Sequence, residues 1–307
     1  MRCGIVDMGS NSIRLSIYDC LESGEIIPVI HKKIMAGLAG YVKKGRLTER
    51  GIEKACSALD EFQALLDSFT PDYTGIFATA SLRNISNQDE VVNSIRKTTG
   101  ILPEIISGQE EARLDFLGAT HFYPMERGLL ADIGGGSTEF VWFVKNGPKE
   151  MISVPVGSLC LHTRWVQGLI PNPKEIEKMR REVRQTLDNI DWAVEPKDCR
   201  LACGIGGTMR MALQLSQELL DHDRQDRTFT IQEVEKLWKI ATNDDASVSK
   251  TAYRILPERM FSMVPGLLLI LEIGRRFGTE DFYVSQTGVR EGYLIDRFLD
   301  RRQDRLE

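Results

Sequence analysis

A pattern written twice constrains this chain more than any other feature. Leu130-Ala131-Asp132-Ile133-Gly134-Gly135-Gly136-Ser137-Thr138-Glu139-Phe140 reads as an apolar strand closed by an acid, a glycine turn and a second strand. Ile5-Val6-Asp7-Met8-Gly9-Ser10-Asn11-Ser12-Ile13 has the same grammar. Asp132, Gly134 and Ser137 each follow Asp7, Gly9 and Ser12 by 125 positions, so one Asp-x-Gly-x-x-Ser hairpin opens each half. At 307 residues the chain exceeds the size at which one core keeps growing. The duplication divides it into a first domain, 1–124, and a second, 125–307, with Pro124 and Arg127-Gly128 at the junction.

The hairpins suit an anion. Consecutive glycines let backbone N–H groups converge without Cβ obstruction, and Ser137 and Thr138 add hydroxyls. Asp132 and Glu139 can hold a divalent cation opposite a phosphate. Two such loops facing each other across a cleft would grip one phosphate chain from both sides. The bland alternative is a glycine-rich hairpin between core strands.

A net charge of −5 argues against general nucleic-acid binding, so a polyanion would need a local basic patch. Lys32, Lys33, Lys43, Lys44 and Arg46 supply one. No apolar run approaches a membrane span, and Asp7 interrupts any apolar leader, so a cytoplasmic protein is expected. The six cysteines form no C-x-x-C pair and read as reduced, buried thiols, and His222 reads as part of a solvated charged loop.

Taken in order, alternation predicts strands at about 3–9, 13–19 and 25–36, then a helix from Thr48 whose Ile52, Ala55, Leu59, Phe62, Leu65 and Leu66 share one face. Gly75–Thr79 reads as a strand, Ala80–Asn84 as a loop, and Asn87 with Glu90 as a helix-starting box. The second half repeats the meander at 128–133, 138–145 and 149–156. A charged helix to about Trp192, a strand Leu201–Cys203 and the turn Gly204–Thr208 follow. Met209 stands where a dinucleotide fingerprint needs its third glycine, and no P-loop exists. Glu233–Ala241 reads as a peripheral amphipathic helix, Gly288 opens the last helix, and the tail from Asp300 reads as frayed. Strand, loop, helix is α/β grammar.

Ser107 and Glu110 fit an S-x-x-E capping box, which makes Glu110 structural and exchangeable with glutamine. Glu111 has no such duty. The positive end of the helix dipole favours its ionised form, which suits a base.

Together, Gly4–Ser12, Ala78–Arg83, Ile106–Arg113, Asp132–Glu139 and Gly288–Gly292 resemble the exopolyphosphatase / guanosine pentaphosphate phosphatase (Ppx/GppA) family in its short, two-domain form. The resemblance implies an actin-like (ribonuclease H-like) duplicated α/β fold with the active site in the interdomain cleft. It further implies magnesium- or manganese-dependent hydrolysis of terminal phosphoanhydrides in polyphosphate or guanosine pentaphosphate, with a homodimer left open. Glu111 would be the general base, Glu139 would assist it or hold metal, and Arg83 would clamp the terminal phosphate. Asp132 would ligate magnesium, with Asp7 as a further ligand. Ser10, Asn11, Gly134, Gly135, Gly136, Ser137 and Thr138 would form the phosphate cradle. Two departures, Gln286 and Phe261 where the family carries aspartates, keep a non-catalytic sensor in view, and the hairpins with Gly204–Thr208 keep an actin-like kinase in view.

Overall fold

The computed structural model describes residues 1–123, 125–145, 147–192, 198–242 and 254–300. The chain divides into two compact units, Met1–Gly118 with Val289–Glu307, and Ala119–Gly288.

The first unit opens with the expected meander, β1 (Arg2–Met8), β2 (Ile13–Cys20) and β3 (Ile26–Ile34). A short ribbon, β4 (Val42–Lys43) and β5 (Arg46–Leu47), precedes α1 (Glu49–Phe69), where Thr48 accepts from the Gly51 amide as N-cap. Then come β6 (Tyr73–Ala78), α2 (Ala80–Arg83), α3 (Gln88–Thr99), β7 (Glu104–Ile105) and α4 (Gly108–Phe122). The sheet order is β3-β2-β1-β6-β7, with β1 antiparallel to β2 and parallel to β6. Alternation in β2 sends Ile13, Leu15 and Ile17 to the face covered by Ile52, Ala55, Leu59 and Phe62 of α1. Tyr18 joins Cys3, Ile5 and Phe77 in a second core with Leu114 of α4.

The second unit runs β8 (Arg127–Ile133), β9 (Thr138–Val144), β10 (Gly147–Val154), α5 (Ser158–Trp165), α6 (Pro173–Asp188), β11 (Leu201–Ile205) and α7 (Gly206–Leu219). It continues through β12 (Thr228–Thr230), α8 (Ile231–Thr242), α9 (Met263–Phe277) and β13 (Asp281–Val284). Its sheet order is β10-β9-β8-β11-β13-β12. The first five strands repeat the order of the first unit, and β12 is added antiparallel at the edge. This is the actin-like, ribonuclease H-like arrangement, present twice. Finally α10 (Val289–Leu294) and a π-helical turn, Ile295–Asp300, return to the first unit.

That return departs from the expected single cut after residue 124. Tyr293 and Leu294 bury against Cys3, Ile5 and Phe77, which ties the last helix to the first sheet. Five local expectations also change. Ala80–Arg83 closes one helical turn, because Leu82 and Arg83 donate backbone bonds to Thr79. The Asn87 side chain makes two bonds to the backbone of Leu47 instead of capping α3, and Glu90 turns to Arg46. The helix α8 is not peripheral, since Val234, Leu237 and Ala241 sit in the main core with Phe229 of β12. His222 is held there rather than solvated, its Nδ1 2.7 Å from Glu233 Oε1. The helix expected to reach Trp192 stops at Asp188. Pro124 and the tail beyond Asp300 lie outside the described residues. No helix among the described residues is long and apolar enough to cross a membrane.

Candidate active site

In the first hairpin, the Gly9 amide donates to the Ser12 carbonyl at 3.1 Å. In the second, the Gly134 amide donates to the Ser137 carbonyl at 3.0 Å. A Cβ on either glycine would stand 3.0 Å from that same carbonyl oxygen, so the duplicated Asp-x-Gly-x-x-Ser spacing is a closure geometry as well as a sequence pattern.

What lies behind the hairpins differs. The Ser10 and Asn11 carbonyls accept from Ala39 and Gly37, in and before the short 3-10 turn Leu38–Tyr41. The Gly134 and Gly135 carbonyls accept from Ser158, Leu159 and Cys160, the first turn of α5. These bonds satisfy amides that a helix start otherwise leaves open. They also fix which way the loop's remaining amides face. Gly157 is pressed against the loop, and a Cβ there would lie 2.7 Å from backbone atoms of Gly135, Gly136 and Ser137. Ser137 is buried. Thr138 is fully buried and its hydroxyl donates to the Val156 carbonyl at 2.6 Å. The hydroxyl expected to donate to phosphate is thus engaged in tying β9 to the segment before α5.

The carboxylates separate equally clearly. Register places Arg14 opposite Asp7, and Lys33 opposite Arg14. Burial pushes the Asp7 carboxyl above the usual range, Arg14 and Arg290 pull it back, and Glu291 pushes it up. In the second unit Glu139 stands opposite Asp132, and Ser153 opposite Glu139. Like charges facing across an antiparallel pair are unfavourable. Here Glu139 is only 1% exposed and accepts from the Ser153 hydroxyl at 2.7 Å. Gly206, at φ +87°, lets the start of α7 close on Asp132: a Cβ there would be 2.1 Å from Asp132 Oδ1. Beside it the buried Arg259 guanidinium fills the space a side chain at Gly207 would need. The hydroxyl of Thr208 points to Ser158 at 3.4 Å, so the second glycine turn opens a helix packed into the core.

Arg83 and Glu111 meet inside the first unit. Arg83 Nη1 donates to Glu111 Oε2 at 2.7 Å and to the Ile106 carbonyl at 3.2 Å. Their side chains are 16% and 9% exposed. The turn carrying Arg83 is held to β1 by a bond from the Ser81 hydroxyl to the Met8 carbonyl. The Glu111 amide donates to Ser107 O at 2.9 Å. Glu110 forms only half of the expected box: its amide donates to Ser107 Oγ, but its carboxylate takes two bonds from Arg113 and one from Arg297. The Arg113 partnership holds that carboxyl below its ordinary range. Its role thus extends beyond what a glutamine can copy.

Asp132 and Glu139 form a two-carboxylate pair on one sheet face, the number that magnesium takes from a protein when phosphate and water complete its shell. Among the described residues no group of three or more His, Cys, Asp and Glu side chains gathers into a metal site. Sequence reasoning did not find Ser153, Gly157, Arg259 or Arg297. The register of the two hairpins was its one available signal, and that signal points to Arg14.

A family model described as the Ppx/GppA phosphatase family matches residues 22–301. Exopolyphosphatase 1 of Mycobacterium tuberculosis is 28% identical over 99% of this chain and 90% of its own length. The crystal structure of the Aquifex aeolicus Ppx/GppA family member superposes with a TM-score of 0.77 at 25% identity, covering 98% of both chains. An exopolyphosphatase from Cytophaga hutchinsonii shares the fold at a TM-score of 0.85 and 24% identity, again over 98% of both.

Proposed function

The chain belongs to the Ppx/GppA phosphatase family, and from that footing we propose that it hydrolyses the terminal phosphoanhydride bond of inorganic polyphosphate with magnesium, or manganese, as the cation. The observation that carries this reading is the shielded contact between Arg83 and Glu111. It joins a carboxylate to a guanidinium on elements braced by the first sheet.

Water attacks the terminal phosphorus while a Glu111 carboxylate oxygen accepts its proton. The bond from phosphorus to the bridging oxygen breaks, its electrons stay on the shortened chain, and orthophosphate leaves. Arg83 neutralises charge on the terminal phosphoryl oxygens and fixes the Glu111 rotamer. The Gly135 and Gly136 amides of the second hairpin, whose Gly134 amide is spent on the Ser137 carbonyl, and the Ser10–Asn11 turn orient phosphates. Asp132 and Glu139 would hold the divalent cation, which supplies charge neutralisation when bound. Asp7, opposite Arg14 in the sheet register, pairs with that cation rather than with the metal. The base contributes about 10²- to 10⁴-fold, and oriented charge much of the rest.

The test is phosphate release from short and long polyphosphate with magnesium, by wild type and Glu111→Gln. We expect release by wild type and a fall of about 100-fold or more in kcat for the variant, with KM retained. No release by folded wild type that still binds polyphosphate would replace the enzyme by a sensor. A much higher kcat/KM for guanosine pentaphosphate would reassign the substrate. Transfer of phosphate to an acceptor other than water would make it a kinase.

A further inference from the structure

The helix that presents Glu111 is gripped by residues nearly two hundred positions away in sequence. Arg113 Nε and Nη2 donate to both Glu110 carboxylate oxygens at 2.9 and 3.0 Å. Arg113 Nη2 also donates to Asp296 Oδ1 at 2.6 Å, and Arg297 Nη1 to Asp296 Oδ2 at 2.5 Å. Arg297 Nη2 then closes the circuit on Glu110 Oε1 at 3.0 Å. The result is a ring of two arginines and two carboxylates, with Arg297 and Asp296 both under 20% exposed. From the ring, Arg297 also reaches Glu104 of β7 at 3.0 Å, and Tyr293 bonds the same carboxylate at 2.8 Å.

A second observation puts the same two helices in contact. A Cβ on Gly292 would fall 1.8 Å from the Leu114 carbonyl oxygen, so α10 lies directly on the backbone of α4. That contact fixes how close the helices come. The ionic ring fixes how α4 is rotated about its axis at its first turn, where Glu110 and Glu111 are neighbours. Bidentate arginine bonds are directional, which is what such a role requires.

We propose that Arg297 is a positioning residue: through Glu110 it holds the first turn of α4 so that the Glu111 carboxylate stays aimed at Arg83 and at the attacking water. This rests on the reading of Glu111 as the base. A base displaced by about 1 Å loses up to about 100-fold in rate. The bonds of Arg297 go to Asp296, Glu104 and Glu110 rather than to Glu111, so its loss should appear in kcat and spare binding.

The experiment measures kcat and KM for polyphosphate with magnesium in full-length Arg297→Ala, Arg297→Lys, Glu110→Gln, their double variant and Glu111→Gln, well below each melting temperature. Arg297→Ala is expected to lower kcat about tenfold with KM within about twofold. Arg297→Lys should recover part of it, as lysine keeps the charge but not the fork. Adding Glu110→Gln to Arg297→Ala should cost little more, because both act through one ring. If Arg297→Ala does not fold, Arg297→Lys with Glu110→Gln carries the same cycle. Wild-type kcat in a folded Arg297→Ala or Arg297→Lys protein, beside an inactive Glu111→Gln, overturns the positioning role alone. Near-wild-type turnover by Glu111→Gln overturns the base reading instead.

Discussion

Asp7 and Asp132 close the first strand of their respective sheets at equivalent positions, yet the residues facing them carry opposite charge. Arg14 faces Asp7, with Lys33 beyond it; Glu139 faces Asp132, with Ser153 beyond it. The duplicated backbone has kept its closing bond to within 0.1 Å, 3.1 against 3.0 Å, while the row of side chains across the strands has diverged. In the first unit the acids pair with arginines: Asp7 near Arg14 and Arg290, Glu110 with Arg113 and Arg297, Glu111 with Arg83. In the second unit two carboxylates share a face. On the proposed reading, that row is the one offered to a divalent cation.

Replacing the equivalent aspartates tests this asymmetry most severely. Asp132→Asn should lower kcat by about 10²- to 10³-fold and raise the magnesium concentration needed for half-maximal activity. Asp7→Asn should cost about tenfold or less and leave the magnesium requirement unmoved. Equal losses with equal magnesium shifts would erase the distinction between the rows.

A smaller effect is expected where the two hairpins are backed. Gly157→Ala puts a methyl group 2.7 Å from three backbone atoms of the second hairpin, and the displaced loop should lose about tenfold in kcat/KM. Gly37→Ala, behind the first hairpin, meets nothing within 4 Å and strains only its φ of +59°. About 1 kcal/mol of stability is the expected cost, with kinetics near wild type. Denaturant unfolding and steady-state rates on the two variants separate the effects, and a kinetic loss confined to Gly37→Ala would invert the comparison.

Smallest is the pH dependence of the ion-paired acids. The folded-state pKa of Glu110 lies below its ordinary value of 4.5, chiefly through Arg113. Its contribution is therefore present above that value and lost as pH falls through the depressed one. Glu110→Gln should be less stable than wild type at pH 7 by about 0.5 kcal/mol, the scale of a solvent-screened pair. The two unfolding curves should converge in acid; a gap that widens as pH falls would mean that Glu110 is not stabilised by its arginines.

Local physics made much of this legible from sequence. Both meanders and the Thr48 start of α1 follow from alternation and capping chemistry, while Ala78–Arg83 and Ile106–Arg113 stood out only through the family resemblance of their motifs. Glu110 was misread because a capping box is a local signal, and Arg297 competes for the same carboxylate from 187 residues away. Arg259 and Gly157 stayed hidden for the same reason, since close approach to a loop leaves no periodicity. Val234 looked peripheral because its helix is amphipathic and charged, and the three-residue strand before it is too short to show alternation, yet Val234 and Phe229 complete a core. Thr138 misled in the other direction: a hydroxyl beside glycines suits phosphate in composition, while the strand pleat turned it inward to Val156.

The return of α10 to the first sheet sets a timetable for biosynthesis. Residues 119–288 separate the first unit's opening segment from the helix that covers its second core. At about 5–20 residues per second, Tyr18, Phe77 and Leu114 wait on the order of ten seconds or more for Tyr293 and Leu294. The contiguous second unit has all its strands before then. During elongation the later half of the chain can close first, and the earlier half stays an open sheet with an uncovered apolar face, the species on which a holding chaperone would act.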